Sequence, residues 1–82
     1  MLKQVYSILD KVGKMHANPF VETNDGVALR AIQDVMKNEN HQFARYPSDF
    51  ALVKIGVFDD ETGILQASQI VNVIDLEKLK EE

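Results

Sequence analysis

The chain has 82 residues, 45% hydrophobic and 27% charged, with a formal net charge of −4 and no cysteine. That length makes one small domain, 1–82, which buries only roughly 60% of the surface of its unfolded chain, and the missing cysteine excludes disulfides, thiolate metal sites and cysteine nucleophiles. No apolar run nears the roughly 20 residues that span a bilayer, and Lys3, Gln4, Asp10 and Lys11 interrupt any leader-like stretch, so a soluble cytoplasmic protein with no membrane contact is expected.

Residues 2–12 are rich in β-branched and aromatic types, with Leu2, Tyr6 and Ile8 on one strand face and Val5 and Leu9 on the other. Apolar side chains on both faces predict a central strand. Asp10 to Lys14 reads as a turn, with Gly13 supplying a positive φ. Met15 to Val21 returns as an edge strand or extended loop, since Pro19 has no amide proton to pair.

Asn24 or Thr23 caps a helix with Asp25 in its first turn, favourably placed against the helix dipole. Ala28, Ile32 and Val35/Met36 form its buried stripe, flanked by Leu29 and Ala31, while Arg30, Gln33, Asp34 and Lys37 face water. Asn38 to Asn40 ends it, and a polar connection from His41 to Asp49 follows.

Phe50–Phe58 is the longest apolar run. Ala51, Val53, Ile55 and Val57 share the face expected to meet the helix; Phe50, Leu52 and Phe58 lie on the other with Lys54 and Gly56. That second face is covered either by another copy of the chain, in a homo-oligomer, or by the C-terminal segment 70–79. Asp59 to Gly63 suits a type I turn closed by a left-handed glycine, which explains its acidic cluster without a metal. Ile64–Ser68 is the partner strand, Ile70–Ile74 a further short one, and 75–82 a short helix or a frayed acidic tail. Together these elements predict an α+β fold, a small antiparallel sheet of three to five strands with one main helix on one face.

Catalytic signatures are absent. His16 and His41 have no partner at a spacing that builds a triad or a zinc site, and four scattered glycines make no phosphate loop. No enzyme, metal or cofactor is expected. The charge is uneven: residues 1–58 carry a net +1 and residues 59–82 a net −5. Phe43, Arg45 and Tyr46 could stack unpaired bases and meet phosphate, or the two rings could anchor their loop on the core. Lys11, Lys14 and Lys54 are the remaining phosphate candidates.

Four motifs in order, Asn18-Pro-Phe20, Asn24-Asp-Gly-Val-Ala-Leu-Arg30, Tyr46-Pro-Ser-Asp-Phe50 and Ile55-Gly-Val-Phe-Asp-Asp-Glu-Thr-Gly63, resemble the small non-structural protein of gokushovirus-type microviruses, which are single-stranded DNA bacteriophages. The resemblance covers about residues 1–65. It implies a product of the infected bacterial cytoplasm, absent from the capsid, that turns replication toward single strands for packaging. Single-stranded DNA is then the expected partner, with Lys11, Lys14, Arg45 and Lys54 on phosphate and Phe43 or Tyr46 for stacking. The alternative is an adaptor that engages a host replication or viral assembly protein through the 50–58 face or the acidic tail, without DNA.

Overall fold

A computed structural model describes residues 1–80 of the chain. Two long strands make its centre: β1, Leu2–Asp10, pairs antiparallel along its whole length with β4, Phe50–Asp59. Short strands β2, Met15–His16, and β3, Phe20–Glu22, both pair with the other edge of β1, split by the Pro19 region that cannot donate to the ladder. On the far side β4 pairs with β5, Leu65–Asp75, so the five-stranded antiparallel sheet runs β2/β3–β1–β4–β5.

β5 is one strand where the sequence suggested two. Its ladder with β4 slips between Lys54↔Val71 and Gly56↔Ala67, so Ile55 alone faces Ser68, Gln69 and Ile70. This bulge absorbs the polar residues that interrupt the apolar pattern. At the same place β1 and β4 slip between Val5 and Tyr6, leaving Ile55 unpaired there as well. Gly56 is required beside it, because a Cβ would lie 2.5 Å from the Gln66 carbonyl oxygen.

Helix α1, Asp25–Met36, starts where the Asn24 side chain accepts a hydrogen bond from the Val27 amide at 3.0 Å. The connection after it is not irregular. It folds into α2, Gln42–Arg45, capped by the His41 side chain, and a 3₁₀ turn, Pro47–Asp49, that begins on its proline. The chain ends in α3, Leu76–Lys80. Of the 75–82 segment, Asp75 closes β5 and Leu76–Lys80 form this helix, while Glu81 and Glu82 lie outside the described residues. No helix among the described residues is long and apolar enough to cross a membrane.

α1 packs on the sheet face opposite to the one expected. Ile8 pairs with Leu52 and Asp10 with Phe50, so Tyr6, Ile8, Phe50 and Leu52 project together toward Ala28 and Ile32. Leu76 and Leu79 of α3 close the same cluster. The larger side chains win the helix-covered face because they bury more apolar area there. Phe50 is 5% exposed and Leu52 is fully buried, which removes both as self-association residues. The C-terminal segment covers them, through Leu76, Leu79, Val73 and Ile74. Phe58 alone of the three stays half-buried, across the ladder from Leu65.

The two turns divide. Gly63 has φ 77 and its amide bonds the Asp59 carbonyl at 2.8 Å, as the left-handed closing residue. In the first turn the positive φ, 56°, falls on Lys14 instead. Gly13 serves a close approach: the Asp10 carboxylate accepts from the Val12 and Gly13 amides, and a Cβ on Gly13 would lie 2.7 Å from it.

Candidate nucleic-acid interface

The expected phosphate contacts do not gather. Lys54 reaches the Asp25 carboxylate at 3.3 Å, and the same carboxylate oxygen accepts a 2.6 Å hydrogen bond from the buried Tyr6 hydroxyl. The Tyr6 bond, reinforced by Lys54 against the cost of partial burial, holds the Asp25 carboxyl below the usual carboxylate range. Burial and the neighbouring carboxylate push the Tyr6 phenol well above its ordinary pKa. Lys54 thus belongs to a tie between β1, β4 and the start of α1. Lys11 lies in the turn just after β1, at the opposite end of the strand from its start and five residues beyond Tyr6. It pairs with Asp75 at 3.3 Å and also donates to the Ser48 carbonyl at 3.4 Å. Asp75 is held low in pKa by Asn72 first and Lys11 second. Both pairs are partly exposed and individually weak, so they make Lys11 and Lys54 less available to a phosphate than a free lysine. Lys14 is exposed on the β1–β2 turn.

The aromatic alternatives separate cleanly. Phe43 is half-buried and meets Phe50 edge-on at 4.8 Å and His41 at 4.6 Å. It anchors α2 on the core. Tyr46 is 49% exposed, with the Arg45 guanidinium 5.2 Å from its ring centroid and donating to its hydroxyl at 3.2 Å. This pair offers a flat aromatic face with a cation attached, the combination that stacks a base and meets its phosphate.

Next to it lies a feature that residue-by-residue reading missed. α1 and α3 enclose an open groove of about 470 Å³ lined by Arg30, Gln33, Asp34, Met36, Lys37, Leu79 and Lys80. Three cations stand there against one carboxylate. Lys37 contacts Asp34 at 3.3 Å, but both side chains are mostly exposed, so the pair is weak. Lys80 donates to the Ala44 carbonyl at 2.6 Å, which joins the groove to the residue preceding Arg45. Arg30, Asp34 and Lys37 at i, i+4 and i+7 were visible as one helical face. Lys80 was not, because only the packing of α3 against α1 brings it there.

The acidic turn is occupied by its own structure. Asp59 accepts from the Glu61 amide at 2.9 Å, and Asp60 pairs with the Met1 ammonium and with Lys3 at 3.5 Å. Among the described residues no three His, Asp or Glu side chains cluster as a metal site would require.

A family model described as Phage ORF5 protein matches residues 3–79. The match runs past Gly63, where the quoted motifs end, and into α3. No curated protein and no solved structure matches the chain.

Proposed function

The chain belongs to the Phage ORF5 protein family, and from that premise we propose that it acts without catalysis in viral single-stranded DNA synthesis or packaging, by binding single-stranded DNA in the bacterial cytoplasm. The gokushovirus-like motifs favour this setting. The observation that carries the reading is the group of cations on the helical side: Arg30, Lys37 and Lys80 line one groove, and Lys80 bonds the carbonyl of Ala44, which precedes Arg45 and the exposed Tyr46. A strand laid along it stacks a base on Tyr46 and sets its phosphates against the groove. The contact is electrostatic and sequence-tolerant, and the overall charge of −4 keeps it weak.

An adaptor for a host replication or viral assembly protein is the second reading. The neutralised Lys11 and Lys54 favour it, since they subtract from any DNA surface. Fluorescence anisotropy with a labelled single-stranded oligonucleotide separates the two. Binding at low salt that weakens steeply as salt is added supports the DNA reading, and a flat titration to high micromolar protein refutes it.

A further inference from the structure

We infer that the β5 edge is a self-association surface, pairing antiparallel with β5 of a second copy to extend the sheet across a two-fold axis. The two edges of the sheet are treated differently. One is made of β2 and β3, two and three residues long and separated at Pro19, which leaves little to pair with. The other is β5, Leu65–Asp75, which pairs with β4 from Phe58 to Ala51 and so runs roughly 24 Å at strand rise, against a longest molecular dimension of 39 Å.

Natural sheets protect such an edge with lysine, proline or brevity. From Gly63 to Ile74 there is no charged residue and no proline, and residues 65–72 are all exposed. Ile64, Leu65, Ile70 and Val71 are 58%, 66%, 61% and 52% exposed. Phe58 lies next to Leu65 across the ladder and widens the apolar patch. The protective devices on this edge among the described residues are the bulge at Ser68–Ile70 and a smaller irregularity at Val73.

Charge selects the occupant. A basic partner would find no carboxylate along this stretch, and a nucleic acid would find no cation. A second β5 meets no like charge over Gly63–Ile74. Toward the ends, Asp75 is already compensated by Lys11 at 3.3 Å. The contact is isologous, so it closes as a dimer instead of growing.

Sedimentation equilibrium of the full chain tests this. The wild type should have twice the 9.3 kDa chain mass at high micromolar concentration and dissociate on dilution, whereas Val71→Lys and Leu65→Lys, both at exposed positions, should sediment as folded monomers. Glu77→Lys, on α3, should leave the dimer intact. Added salt should preserve the dimer while DNA binding falls, so either reading can fail without the other. A wild type that stays monomeric throughout, with the edge left to another protein, overturns the inference, as does a dimer that survives Val71→Lys. If a lysine variant fails to fold, the dilution series of the wild type decides alone.

Discussion

Replacing Leu76 with Ala asks whether the C-terminal segment is part of the core or an appendage. Leu76 is fully buried and joins Leu79, Phe50 and Leu52 in one cluster. A buried Leu→Ala change costs about 2–5 kcal/mol, the transfer of the lost carbons plus the cavity left behind. A chain of this length has a total stability of only roughly 4–12 kcal/mol, so the variant forfeits a large share. With a urea dependence on the order of 1 kcal/mol per molar, the midpoint by circular dichroism should fall by roughly 2 M or more, or the variant should be unfolded before urea is added. Glu77→Ala, one residue along and exposed, should stay within about 0.5 kcal/mol of wild type. A Leu76→Ala midpoint within about 0.5 M of wild type, below what even a small cavity costs, would refute the assignment and restore the frayed tail.

Gly56→Ala places a Cβ 2.5 Å from the Gln66 carbonyl oxygen, backbone that cannot swing aside, and should destabilise by about 1–3 kcal/mol in the same urea assay. Asp25 titrates below the usual carboxylate range, so its contribution is full above the ordinary pKa of about 3.9 and is lost as pH falls through the lower folded value. Asp25→Asn should therefore lower stability at neutral pH by under about 1 kcal/mol, given its half-exposed side chain. The same substitution should also flatten the loss below pH 4, measured by urea midpoints across pH. Arg45→Ala should weaken oligonucleotide binding and reduce the salt slope by about 0.7, the loss of one phosphate contact on a single strand. Lys54→Ala should change neither, because Lys54 is committed to Asp25.

Local chemistry was the legible part. The Asn24 cap, the left-handed Gly63 and the central β1 and β4 strands each follow from a few neighbouring residues. Which face of β4 meets α1 did not, because both faces are apolar and alternation breaks at Ile55, where the register slips against both neighbours. α3 was ambiguous for a related reason: five residues with Leu76 and Leu79 three apart cannot display a helical period. Among the site residues, exposure separated Tyr46 from Phe43, and ion pairs engage Lys11 and Lys54. Neither exposure nor pairing is written in spacing. The groove needed Lys80 beside Arg30 and Lys37, a juxtaposition made only by tertiary packing. The structure also relocates the question of self-association, from the buried Phe50 and Leu52 to the open edge of β5.

The most direct test of the DNA-binding surface is an amide chemical-shift titration of the labelled protein with a short single-stranded oligonucleotide at low salt. Shifts should concentrate at Arg30, Lys37, Arg45, Tyr46 and Lys80, and should reverse when salt is added. An unchanged spectrum, or shifts that cluster on β5 while these five residues stay still, would contradict the account.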